Sequence, residues 1–420
     1  MERKQLLNEK LWTDQFVKLI IVSFLVSVSY QMQTTIIPLY TQSIGGSGTV
    51  AGLTMSIFTA SALVFRPLMG NLCDQKGRKA VMLIGTALFS SVSLAYNFFG
   101  GLIWALLVLR FLHGAGFSAF TTAGSTITAD VVPSSRIMEG IGYYGASATL
   151  ATTIGPALGL YIINNSGFSV MFFSAFVISL SGLVITILIN YEVKKKFDEN
   201  NSPECKQTER HLNSNLNKIT SSLIEKEAVL PSTVMFFVAI AQISVIVFLP
   251  SYALTKGIEN VGLFFTIQAA VMMFTRPTIG RLSDRVGATK VVLPALSLLL
   301  ISFVLMSTVF YSKIYLVIGA LNGLSYGTVH PVLNGVIVKL CPPDRKGTAN
   351  STFYSSIDLG YALGSLLYGV MSEYLGFTTV YLTAAGSIAI AFGIFLILVN
   401  DQRKKDLNNN ETIIPMQQNH

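Results

Sequence analysis

The chain has 420 residues, of which 51% are hydrophobic and only 12% charged, about half the charged share of a typical soluble domain. That excludes a soluble globular protein. The net charge of +8 does not mark a nucleic-acid binder, because no basic groove with interleaved aromatic residues accompanies it.

Arg3, Lys4 and Lys10 precede a first apolar run, 17–40. It is long enough to cross a roughly 30 Å hydrocarbon core and has no small-residue cleavage site after it, so it is expected to stay as a helix. Further runs follow at 49–71, 80–99, 102–127, 139–163 and 167–190, and then at 229–252, 257–280, 290–310, 313–338, 347–371 and 376–399. Backbone groups in lipid must be satisfied within the segment, so each run predicts a helix. The expected fold class is an all-α polytopic membrane protein with twelve transmembrane helices in two six-helix halves, 17–190 and 229–399. Residues 1–16 read as a cytoplasmic N-terminus, 191–228, rich in Lys, Glu, Asn and Ser, as a cytoplasmic linker, and 400–420 as a disordered cytoplasmic tail.

With the N-terminus inside, Lys and Arg fall on cytoplasmic segments except for Lys256 and Lys313 outside and Arg66, Arg110 and Arg276 within spans. The positive-inside rule therefore places both termini in the cytoplasm of a cell-membrane protein. Cys73, Cys205 and Cys341 then all face a reducing compartment, and no disulfide is expected.

The segment Arg66-Pro67-Leu68-Met69-Gly70-Asn71-Leu72-Cys73-Asp74-Gln75-Lys76-Gly77 recurs as Arg276-Pro277-Thr278-Ile279-Gly280-Arg281-Leu282-Ser283-Asp284-Arg285-Val286-Gly287, identical at six of twelve positions. Farther along, Leu112, Gly114, Pro133 and Arg136 match Leu321, Gly323, Pro342 and Arg345. Two halves with the same motif after their second helices imply parallel repeats about an axis along the membrane normal, which suits one half rocking against the other.

On these residues the chain resembles the major facilitator superfamily over about 17–400. The loop signature G-x-x-x-D-x-x-G-R-K stands as Gly70, Asp74, Gly77, Arg78 and Lys79. In the second copy Gly280, Asp284 and Gly287 are kept, but Ala288 and Thr289 replace the basic pair. The resemblance implies a conformational latch in which Asp74 meets the N-terminus of helix 11, and the second copy is expected to be the weaker. Leu106, Arg110, Gly114 and Gly116 resemble a fourth-helix signature associated with proton coupling. Gly142, Gly155, Pro156 and Gly159 resemble the fifth-helix pattern of drug and solute exporters, from which Ala151 and Leu160 depart.

Asp358 is the only carboxylate near a span centre, about 17 Å into helix 11. A carboxylate there is costly unless paired, hydrated or protonated, which makes it the preferred proton-coupling site. The competing reading is a static ion pair, for instance with Arg110. Arg110 shares a helix face with His113, and His330 stands on helix 10. Arg110, His113 and His330 complete the coupling candidates. The resemblance places helices 1, 4, 7 and 10 around a central cavity, where the chain offers Tyr30, Gln31, Thr34, Thr35, Gln242, Asn322, Tyr326 and Asn334, and helix 11 adds Tyr354 and Tyr361.

The function expected is a secondary active transporter exporting a small organic or drug-like solute against protons. The alternative is a proton-coupled importer of a sugar or other polar metabolite, and a sodium ion is a further option for coupling. An enzyme is not expected: H-E-x-x-H and G-x-S-x-G are absent, as is the G-x-x-x-x-G-K-[ST] loop of an ATP-driven pump. No cofactor or metal is expected. The expected partners are the solute, protons and the lipid bilayer around a monomer, without nucleic acid.

Overall fold

The computed structural model describes residues 10–46, 48–99, 101–190, 223–257, 261–308 and 312–413, and among them no strand forms. The helices are α1 (Asp14–Ser43), α2 (Gly48–Lys76), α3 (Arg78–Phe99), α4 (Ile103–Val131), α5 (Ile137–Ile187), α6 (Lys226–Ile243), α7 (Leu249–Thr255), α8 (Val261–Val286), α9 (Thr289–Thr308), α10 (Ser312–Leu340), α11 (Lys346–Tyr374) and α12 (Phe377–Ile413). Local chemistry sets several boundaries. Thr13 caps α1 by accepting from the Phe16 amide at 3.2 Å, with Asp14 in the first turn. Gly77 and Gly287, at φ +97° and +94°, make the sharp α2–α3 and α8–α9 turns in a backbone region that favours glycine.

Two of the expected spans, 139–163 and 167–190, form one long α5, interrupted at Gly167 (φ +84°). The expected span 229–252 is α6 and α7 joined by a π-helical stretch, Ser244–Phe248. Among the described residues nine helical segments are long and apolar enough to cross a membrane. Of the other expected spans, 139–163 and 167–190 lie on either side of Gly167 in α5, and 257–280 and 347–371 fall on the more polar α8 and α11. Most of the expected linker, including Cys205, and residues 414–420 of the expected tail lie outside the described residues. The backbone of α12 is helical to Ile413.

Each half has its own core. The largest hydrophobic cluster runs through α6–α12, around Val238, Leu299, Phe303, Val332 and Phe353, and takes only Met138 from the preceding helices. Separate clusters around Phe89, Phe120 and Ala123, and around Met32, Tyr96 and Phe172, hold α1–α5 together. Within the first half, α5 packs closely on α1. A Cβ at Gly155 would stand 2.6 Å from that of Gln31 and 3.0 Å from the Val28 carbonyl, and one at Gly159 3.2 Å from Ile36. Pro156 lies inside α5 between these two contacts. Small residues thus let two backbones approach, as helices in lipid require. Large apolar side chains such as Val64, Ile84, Trp104, Phe274 and Leu366 point outward, a surface that suits hydrocarbon and not water.

Candidate functional site

The two halves meet along a seam at the basic face, the end carrying Arg78, Lys79, Arg136, Lys290, Arg345 and Lys346. Asp74, near the end of α2, accepts from the Gly347 amide (2.8 Å), the Thr348 amide (2.7 Å) and the Thr348 hydroxyl (2.8 Å). These donors form the first turn of α11, where unpaired amides and the helix dipole favour a negative charge. Arg78 pairs with Asp130 and donates to the Pro343 carbonyl at 2.6 Å, and Lys346 reaches Asp130 at 2.9 Å. At the related place in the second half, Asp284 accepts from the Glu139 amide (3.0 Å), at the start of α5, and from Lys339 (2.7 Å).

Glycines bring the seam backbones together. A Cβ on Gly70 would collide with Ser351 and the Gly347 carbonyl, one on Gly280 with the Met138 carbonyl, and one on Gly142 with the Arg276 carbonyl. Gly52 and Gly262 lie about five helical turns away on the same faces of α2 and α8, and a Cβ on either would meet nothing within 4 Å. The faces that touch at the basic end are therefore open at the other, and the halves diverge from the seam.

Between them lies a cavity of about 670 Å³, a size that suits a small organic molecule. Tyr30, Gln31, Gln242 and Tyr326 line it, as do Phe117, Thr149, Thr152, Phe265, Gln268, Met272 and Arg276. Tyr30 is stacked on Phe117 with ring centroids 4.2 Å apart, and Phe58 lies 5.3 Å from Tyr30 on the side of the N-terminal core. Gln268, from α8, donates to Asn322 at 2.6 Å, so that Asn322 is fully buried beneath the wall. Tyr326 and Tyr361 share a hydroxyl–hydroxyl hydrogen bond of 2.9 Å. Thr34 holds a buried hydroxyl close to that of Tyr30, and Thr35 donates to the carbonyl of Gln31 one turn back. Asn334 lies in the seam: its amide donates to Asn350 at 2.9 Å, and Ser125 donates to the same Asn350 oxygen at 3.0 Å.

The structure corrects the ion pair considered for Asp358. Its partner is Arg66 of α2, not Arg110, because α11 packs along α2 whereas Arg110 turns into the core of the first half. The Arg66 guanidinium also donates to Thr121 at 2.9 Å and lies 5.2 Å from the Tyr354 ring centroid. Both members of the pair are largely buried, with side chains 5% and 14% exposed. Arg110, fully buried, donates to the Thr54 carbonyl at 3.1 Å, approaches the Met55 sulfur at 3.3 Å and faces the Phe58 ring at 4.4 Å. His113 sits beside it, with Nδ1 3.2 Å from the Tyr96 hydroxyl and Nε2 unpartnered among the described residues. His330 packs against Phe353, Tyr354 and Tyr326, its Nδ1 without a partner among the described residues. Among the described residues no His, Cys, Asp and Glu cluster could hold a metal ion.

Arg276, expected only as a charge within a span, and Phe265, Gln268 and Met272 are not among the residues expected at the cavity from the sequence. Yet Phe265, Gln268, Ala269, Met272 and Arg276 follow the i, i+3, i+4, i+7, i+11 spacing of one helix face, a signal that was legible without coordinates.

A family model described as Major Facilitator Superfamily matches residues 19–264 and 233–415. The staphylopine export protein of Staphylococcus aureus is 26% identical over 393 residues, covering 91% of this chain and 95% of that protein. The multidrug resistance protein MdtG of Escherichia coli K12 is 25% identical over 381 residues, covering 87% and 89%. Among solved structures, the human organic anion transporter MFSD10 superposes with a TM-score of 0.70 at 16% identity, covering 91% of this chain and 100% of that one. The transporter FucP in its outward conformation gives 0.69 at 17%, covering 92% and 98%. At those identities the structural likeness speaks to the fold.

Proposed function

The chain belongs to the Major Facilitator Superfamily and is a membrane transporter, and we propose that it exports a small organic solute by alternating access in exchange for protons. The observation that carries this reading is the ion pair joining Arg66 of α2 to Asp358 of α11 across the seam. Rocking must draw those helices apart, and separating two buried charges is costly. Protonation of Asp358 removes one charge, leaves a weaker neutral contact, and lets the seam open. Release of the proton restores the pair and closes it. The basic face is the cytoplasmic one on this reading, by the positive-inside rule, so the present arrangement is closed to the cytoplasm with its cavity on the outer side. The Asp74 and Asp284 contacts lock the same state. Export is favoured over import because the similar curated proteins are named for export and multidrug resistance.

The test is solute-evoked proton release in inverted vesicles with an acidic interior. Asp358→Asn is expected to lower uphill transport by about tenfold or more while solute binding persists, since the variant can bind but cannot exchange charge. Uphill transport surviving in that variant overturns the coupling role. Solute uptake into right-side-out vesicles, driven by an inward proton gradient, would instead select the importer.

A further inference from the structure

Among the described residues four arginines are buried, Arg66, Arg78, Arg110 and Arg276. Arg66 and Arg78 have carboxylates, and Arg110 has a carbonyl, a sulfur and an aromatic ring. Arg276 is different. It is 8% exposed, makes no hydrogen bond or ion pair among the described residues, and keeps a buried Nε without a partner. Among the described residues it is also the one charged side chain lining the cavity. It stands about eleven residues along α8 from Phe265, roughly 16 Å deeper, at the seam end that forms the floor.

A guanidinium stays protonated at any physiological pH, and an unpaired cation held away from bulk water is costly. The neighbours of Arg276 do not relieve that cost. On α5, Gly145 and Thr149 face it and carry no charge, while Tyr326, Tyr354 and Tyr361 bring neutral hydroxyls within electrostatic reach. Thr149 also holds, in the repeat, the position that Asp358 holds in the second half. The chain thus withholds from Arg276 the counter-charge that it gives to Arg66, and leaves the guanidinium lining a cavity large enough for an organic molecule. Such a fork matches the two oxygens of a carboxylate. Nearer the other wall, the Tyr30–Phe117 stack offers a flat apolar surface.

We propose that Arg276 anchors the anionic group of the transported solute, and that the solute class is organic acids whose apolar or aromatic body lies on the Tyr30–Phe117 stack. This rests on the cavity being the transport site. It does not rest on proton coupling, and the test keeps the two apart by measuring equilibrium binding with no gradient. Three probes of one shape are used on the purified full chain: naphthalene-2-acetate, 2-naphthaleneethanol and 2-naphthaleneethylamine. The carboxylate is expected to bind about tenfold or more tighter than the alcohol or the amine. Arg276→Gln and Thr149→Asp, which respectively remove the cation and pair it internally, are both expected to erase that preference, and Arg276→Lys to keep part of it. The thermal midpoint of Arg276→Gln should equal or exceed that of the parent, since it loses an unpaired buried charge; a residue with a structural role would lower it. Because binding is read at equilibrium without a gradient, a failed coupling reading would leave this result standing. Equal binding of the three probes, no binding of the carboxylate, or a preference that survives in Arg276→Gln overturns the proposal.

Discussion

Arg66 and Arg276 occupy the same position in the two copies of one motif, each followed by Pro and, three residues on, by a glycine in the seam. Their surroundings diverge because each takes its partners from the opposite half. Arg66 meets α11, which carries Asp358 and Tyr354. Arg276 meets α5, which presents Gly145 and Thr149. Duplication reproduced the geometry of an arginine at the seam, and one carboxylate decided its use. With the carboxylate, the arginine becomes part of an ion pair that joins the two halves. Without it, the arginine is left facing the cavity.

The largest effect is expected from breaking the paired arginine. Removing one member of a buried ion pair strands the other, at a cost of about 3 kcal/mol or more. Arg66→Met should therefore lower the thermal midpoint strongly and abolish transport. The double variant Arg66→Met/Asp358→Leu strands no charge and should recover most of the stability without recovering uphill transport. Thermal unfolding of the three proteins checks this, and a double variant no more stable than the single one would show that the pair is not the stabilising unit.

The latches offer a second, smaller contrast. Asp74 has two amides and a hydroxyl from a helix N-terminus, whereas Asp284 has the Glu139 amide, with that of Met138 in reach, and a partly exposed lysine. Asp74→Ala should cost the closed state about 2 kcal/mol and Asp284→Ala about 1 kcal/mol. Spin labels at the exposed positions 75 and 344, on opposite sides of the seam, would report the shift as a growing long-distance population. Equal effects would mean that the second copy, despite its lost basic pair, holds as firmly as the first.

How much of this was readable from the sequence depends on the kind of information each feature needs. The spans were legible because charges are excluded from lipid and so bracket each helix, and the repeat was legible because its motif is nearly contiguous. The merging of two spans into α5 was not, since it depends on how one glycine, Gly167, is set between helices. Asp358 stood out by its isolation in one dimension, but its partner depends on α11 packing against α2 and not α4, which no spacing encodes. Expected cavity residues come from helices 1, 4, 7 and 10, with 11 added; of these Tyr30, Gln31, Gln242 and Tyr326 line the cavity, and α5 and α8 add Thr149, Thr152, Gln268 and Arg276 to its wall. Asn334 looked like a cavity residue for its polarity, yet its amide is used up by Asn350 in the seam.

The smallest expected effect reads the same asymmetry through two native thiols. Cys73 lies in the seam, where its Cβ is 2.7 Å from where a Cβ of Gly347 would stand, so opening must uncover it. Cys341, after the end of α10, is buried within the second half, and burial, with Glu225 and Glu227 adding to it, pushes its thiol up to about 12. Only the thiolate reacts, so a raised value leaves Cys341 nearly inert at pH 7.5, with a rate that climbs about tenfold per pH unit and reaches no plateau below pH 10. In a Cys205→Ser background, maleimide labelling of Cys73 should be slow in the parent and several-fold faster in Asp74→Ala, while Cys341 stays slow in both. Acceleration at Cys341 as well would mean that losing the latch loosens the second half itself and does not merely part the two halves along α2 and α11.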